Sequence, residues 1–274
     1  MQGRKCPVVS EAAMAREVRK LFLVASGLWF LGWFWKIDYF VEILAVGWFA
    51  SPEGMIFPEW MSDYRVAVGF YMLPLVGILV ALIRWSRERA LFASGAMTLG
   101  ALGCLGHYQF FNDATFTTAF WAGLWLFWLA WNSEREDPGL VREAKWLVRG
   151  TVAMIFLGGA MGKFTQTYWS GEVFYQIYFV QKDYFIYNYL EANFTENQIR
   201  TMAKYFSRGA ILGEALVVVG ALIWKYHWFA WFVIATMLTM VAISTPWLFS
   251  VMAPIVGIVV ANLLWKKETL ERLA

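Results

Sequence analysis

Charge is scarce in this chain: Lys, Arg, Asp and Glu make up 16% of its 274 residues, against 60% hydrophobic residues. A soluble domain with that balance has too little polar surface to cover itself, which excludes an ordinary water-soluble fold. Cysteine is scarcer still, with Cys6 in the polar N-terminus and Cys104 in an apolar run. No CxxC or paired-ligand spacing occurs, so neither a disulfide framework nor a metal site is supported. The net charge of +3 is too small to point to nucleic acid. A cleaved leader is not expected either. Mostly polar residues precede an apolar run too long for a signal peptide, so insertion without cleavage is expected.

Aromatic residues, by contrast, are abundant, with 17 Trp, 12 Tyr and 23 Phe. That exceeds what interfacial belts need. Two uses stay open: aromatic-lined surfaces touching lipid, quinone or pigment, or bulky packing between helices. The composition predicts an all-α fold, a polytopic membrane helix bundle of about eight spans. Residues 1–20 read as a cytoplasmic amphipathic N-terminus, whose part after Pro7 lies on the membrane as a helix. The bundle occupies residues 21–267, with expected spans at 21–35, 66–83, 90–108, 116–131, 146–162, 209–224, 228–243 and 249–265. A short cytoplasmic tail, 268–274, follows.

Residues 164–207 are too polar to cross and too aromatic to be free in water, so they read as an outer interfacial segment of short helices. Within it, Thr195-Glu196-Asn197-Gln198 has the look of a helix start. The basic stretches at the N-terminus, 84–89, 133–149, Lys225 and 266–272 fall on one side if the spans number eight, and the acidic loop at 51–63 on the other. The positive-inside rule then puts both termini in the cytoplasm, in an inner (plasma) membrane location.

Each span rises about 1.5 Å per residue, so position along it gives depth. Lys36, Asp38, His107, Asp113, Lys163 and Glu214 all fall toward the non-cytoplasmic half. Ionisable groups at such depth are costly and usually pair or serve a function. A polar cluster on the outer side of the bundle is therefore expected. Its focus is Gly158-Gly159-Ala160-Met161-Gly162-Lys163, where Gly158 and Gly162 have the spacing that brings a neighbouring helix backbone-close. Gly209 and Gly213 repeat that spacing beside Glu214. Lys163 is expected to be drawn toward Asp113 or Glu214, the alternative being an anchor that snorkels to the headgroups. Lys36 carries the same alternative. His107 reads as a satisfied helix-end histidine or a single pigment or haem contact. A bis-histidine haem is excluded because His227 falls near the opposite face.

A small-residue helix ending in Lys163, a short polar spacer, and Trp169-Ser170-Gly171 together resemble the signature of the HTTM domain family. That domain is the membrane core of vitamin K-dependent gamma-carboxylase and its bacterial relatives. The resemblance extends from about Arg16 to Lys267 and takes in Asn112-Asp113 and Glu214. DoxX-like membrane proteins share a similar helix-end Gly-x-x-Lys pattern. The resemblance implies that Lys163 matches the lysine held to start hydroquinone oxidation as a base, a role open to a desolvated lysine. On this reading Lys163, Asp113 and Glu214 are the catalytic candidates, and His107, Asn112, Trp169, Lys36 and Asp38 the ligand-binding ones. Asp113 stands where the carboxylase has a histidine, and the large luminal domain has no counterpart, so glutamate carboxylation is not expected. Two readings stay open. One is a membrane protein handling a quinone or bound lipid; the other is a non-catalytic subunit of a respiratory or photosynthetic complex. The expected partners are membrane lipids and other integral membrane subunits.

Overall fold

A computed structural model describes residues 11–46, 58–83, 85–106, 113–135, 139–180, 185–243 and 248–265, and within them the protein is all-helical. In chain order the helices are α1 (Glu11–Trp35), α2 (Ile37–Val46), α3 (Tyr64–Ile83), α4 (Arg87–Leu105), α5 (Ala114–Trp131) and α6 (Gly139–Lys163). After these come α7 (Gln166–Trp169), α8 (Glu172–Phe174), α9 (Phe185–Asn193), α10 (Glu196–Ile223), α11 (Tyr226–Ile243) and α12 (Phe249–Leu263). The chain divides into two compact units, Met1–Val148 with Phe249–Ala274, and Arg149–Leu248.

In the first unit α3 packs on α4, α4 on α5, and α1 against both α5 and α12. Close approach between α3 and α4 depends on Gly100, where a Cβ would lie 2.7 Å from the Phe70 carbonyl and from the Pro74 ring. The interior is aromatic, and its polar tips are satisfied in place, as buried Trp and Tyr require. Trp33 Nε1 donates to the Tyr71 carbonyl at 3.0 Å, and the Tyr71 hydroxyl donates back to the Trp33 carbonyl at 2.8 Å. Trp29 Nε1 donates to the Ala119 carbonyl at 2.7 Å. The rings of Trp29, Trp33, Tyr71 and Phe40 follow one another in a stacked column. Here the aromatic surplus serves helix packing, one of the two uses the composition left open.

Helices cover most of each expected span, although α4 stops at Leu105, α10 at Ile223 and α12 at Leu263, and three helices begin well before theirs. Residues 11–20 do not form a separate surface element, because Met14, Val18, Leu21, Phe22, Ala25 and Trp29 make one continuous buried stripe on α1. The period of three and four residues carries through the charged N-terminal turns and keeps them in the same helix. Likewise α6 begins at Gly139, and α10 begins at Glu196 rather than near residue 209. The N-terminal part of the acidic loop, through residue 57, lies outside the described residues, as do 1–10 and the tail.

In the second unit, α10 is the long central element. It starts where the sequence signalled: the Thr195 N–H and hydroxyl both donate to Gln198 Oε1, at 2.9 and 3.0 Å. It ends on Arg149 of α6, whose guanidinium donates to the Ala221 and Trp224 carbonyls at 3.1 and 2.6 Å. A cation there meets the unpaired carbonyls and the negative pole of the helix. Among the described helices, α10 is long and apolar enough to cross a membrane, yet only 33% of its apolar stretch is buried. Leu212, Leu216, Val219, Leu222 and Ile223 face outward. The core helix of a soluble protein would bury most of such a stretch.

The aromatic stretch before α10 folds into a small core of its own. Phe174, Tyr175, Phe179 and Leu190 close over Ile199 and Ala203 of α10, with Tyr178 and Phe206 packed at the edge. A π-helical turn at Tyr175–Phe179 carries three of these rings. Residues 196–207, expected in the interfacial segment, belong instead to α10.

Candidate functional site

Lys163 is the last residue of α6, where a cation is favoured by the helix C-terminus. Its Nζ pairs with Oε1 of Glu214, from the middle of α10. Glu214 is 5% exposed, while the Lys163 side chain keeps 25% of its surface. Among the described residues nothing hydrogen-bonds the second oxygen of Glu214, Oε2, which is also buried. It faces Gly159, where a Cβ would lie 3.3 Å away. Gly159 is thus the glycine that admits the carboxylate.

Gly158 and Gly162 have open space where their side chains would be, and so has Gly209. Their four-residue spacing does not bring a helix close, and the expected packing at those positions is corrected accordingly. Gly213 meets Thr236 only at 4.0 Å.

The turn after Lys163 is bound to α10 by a short ladder. The Ser207 hydroxyl donates to the Tyr168 carbonyl at 2.6 Å, and Arg208 Nε donates to the Trp169 carbonyl at 3.1 Å. The Arg208 guanidinium lies over the Trp169 ring, 5.0 Å from its centroid. Gly171 follows at φ 85°, with the backbone of Lys204 only 2.4 Å from where its Cβ would be. A left-handed residue pressed on a helix backbone leaves room for glycine alone. Trp169-Ser170-Gly171 is therefore an elbow that seats α7 and α8 on α10. The tyrosines of this segment lie within the field of Glu214. Burial, and to a lesser degree that carboxylate, raise the Tyr168 phenol above its ordinary range. Burial pushes the Tyr178 phenol up to about 12.

Asp113 and Lys36 meet in the first unit. Asp113 Oδ1 accepts the Thr115 N–H at 2.7 Å and caps α5, while Oδ2 lies 2.9 Å from Lys36 Nζ. Both carboxylate oxygens are thereby engaged, with the two side chains 11% and 15% exposed. Asp38 is exposed on α2. His107 and Asn112 lie outside the described residues, so the structure is silent on both. Trp169 is 43% exposed, its ring held under Arg208. Among the described residues no group of three His, Cys, Asp or Glu is placed to hold a metal ion.

Sequence reasoning did not single out Gly159, Ser207, Arg208, Tyr178 or the buried Arg149. Arg208 carried a readable signal, as the last cation before the apolar run that begins at Gly209. Nothing in the spacing of Gly159 separated it from its neighbours. Comparison of the chain with family models, with curated proteins and with solved structures finds no match.

Proposed function

We propose that this chain is a multi-pass membrane protein of the HTTM type that handles a quinone or lipid-like ligand at the Lys163–Glu214 pair. The observation that carries the reading is that pair, a carboxylate 5% exposed on an apolar helix and a lysine at a helix end. Buried ion pairs are weak devices for stability, so their presence in an apolar bundle points toward function. For Lys163 to accept a proton from a ligand it must first give one up, and Glu214 is the group placed to take it. The aromatic core of α8 and α9 gives such a ligand an apolar neighbourhood.

Eight spans are proposed, formed by α1, α3, α4, α5, α6, α10, α11 and α12, with both termini cytoplasmic. Support comes from α5 and α11, each of 18 residues without an Asp, Glu, Lys or Arg. At about 1.5 Å per residue such a helix nearly matches a hydrocarbon core of about 30 Å.

The test is extraction of the detergent-purified full chain with organic solvent, followed by mass spectrometry of quinones and lipids. A stoichiometric apolar ligand is expected in the wild type and its loss in Lys163→Met and Glu214→Gln. A wild type without such a ligand, but with a stoichiometric protein partner, would replace this reading with a non-catalytic membrane subunit.

A further inference from the structure

α10 changes character at one point. Before Gly209 its charges recur every fourth residue, at Glu196, Arg200, Lys204 and Arg208, so they share one stripe. After Arg208 the helix is apolar apart from Glu214 and exposes Leu212, Leu216, Val219 and Leu222. The lower half of the stripe is neutralised internally, since Arg200 pairs with Glu196 at 3.0 Å and with Glu172 at 3.1 Å. Among the described residues, Lys204 and Arg208 have no carboxylate partner. They stand one turn apart at the polar–apolar boundary. Arg208 spends its Nε on the Trp169 carbonyl and stacks on the Trp169 ring, which fixes the guanidinium in place. Trp169 and Tyr205 are 43% and 67% exposed beside it. Amphipathic rings of this kind settle at headgroup depth.

We propose that Lys204 and Arg208 hold the phosphate of an anionic phospholipid, its acyl chains lying along the exposed apolar face of α10 and its glycerol level marked by Trp169 and Tyr205. The chemistry is a guanidinium with donors left over, an ammonium one turn away, and a continuous apolar surface immediately beyond them. Phosphate satisfies the cations, and hydrocarbon satisfies the leucines. A free anion would satisfy only the first. The proposal rests on α10 lying in a membrane, and not on any role for Lys163 and Glu214. The outcome of the ligand extraction therefore leaves it standing or falling by itself.

The experiment is native mass spectrometry and thermal unfolding of the detergent-solubilised full chain titrated with phosphatidylglycerol, phosphatidylcholine or inorganic phosphate. Phosphatidylglycerol is expected to bind and to raise the unfolding temperature, with a weaker effect from phosphatidylcholine and none from inorganic phosphate. Each basic side chain near an anionic surface contributes about fivefold in affinity. K204Q/R208Q should thus bind phosphatidylglycerol about 25-fold more weakly, while Arg208→Lys should keep most of the affinity. If the double variant does not fold, Lys204→Gln alone should still lose about fivefold, since among the described residues no contact of the fold depends on its ammonium. Equal binding by wild type and variants, equal response to phosphatidylcholine, or full stabilisation by inorganic phosphate would each overturn the proposal.

Discussion

Between Lys163 and Glu214 the burden of burial is unequal, and substitutions at the two positions should differ for that reason. The carboxylate is 7% exposed at its side chain and the lysine 25%. Removing the lysine strands a buried charge, whereas removing the carboxylate leaves the ammonium a path to water. Lys163→Met is therefore expected to cost about 3–5 kcal/mol, Glu214→Gln clearly less, and Lys163→Arg least because the pair is kept. Thermal unfolding of the three variants in one detergent checks the order; a Met variant as stable as wild type would reduce Lys163 to an anchor. At Tyr178 the effect appears in alkali. Its phenol is raised from 10.0 to about 12, so the folded state favours the neutral form. That contribution is complete below the ordinary value and is lost as pH rises through the folded one. Stability should fall between about pH 10 and 12, and Tyr178→Phe should flatten that fall in a pH series of unfolding curves. The polar residues were legible because each interrupts an apolar run. Which carboxylate Lys163 would meet was not, because position along a helix gives depth and says nothing of direction around the bundle. Asp113 was as good a candidate by depth, but its oxygens are engaged by Lys36 and the end of α5.

Among the elements, the elbow after α6 is the most tightly determined. Gly171 combines φ 85° with a neighbouring backbone 2.4 Å from the position of a Cβ. Gly171→Ala should cost at least about 3 kcal/mol, from strain in the left-handed region and from overlap together. Its local mark is hydrogen exchange: amides of residues 166–180 should exchange faster, with those of α4 unchanged. Normal protection across 166–180 would show that the turn tolerates a side chain. The start of α10 was only partly legible. Its first turns are polar on one stripe and bury Ile199 and Ala203 on another, so residue-by-residue polarity made the start of one long helix resemble a separate short interfacial helix. The Thr195 start was legible, and taking it at face value would have given the whole helix. The four-residue glycine spacing in α6 misled in the opposite sense. It promised contact at Gly158 and Gly162, while contact falls at Gly159, because a face is set by rotation as well as by period.

At the scale of the molecule, most of the long helices were legible from apolar runs, whereas α2, the charged first turns of α1, α6 and α10, and the division into two units were not. The boundary falls at Val148, inside α6, where no change of composition marks it. Topology carries the remaining prediction: reporters fused after Ala274 should report the cytoplasm, and reporters inserted in 51–63 the opposite side. A C-terminus on the outer side would sink the eight-span arrangement. The cap on α10 has a further consequence, in time. Arg149 finds its acceptor at Ala221, which is 72 residues later in the chain. At roughly 5–20 residues per second of synthesis, that delay is about 4–14 s. Through this interval the Arg149 guanidinium cannot make its bond to Ala221. The arrival of α10 draws it under cover, so the order of synthesis makes Arg149 a latch that closes only when the later helix is complete.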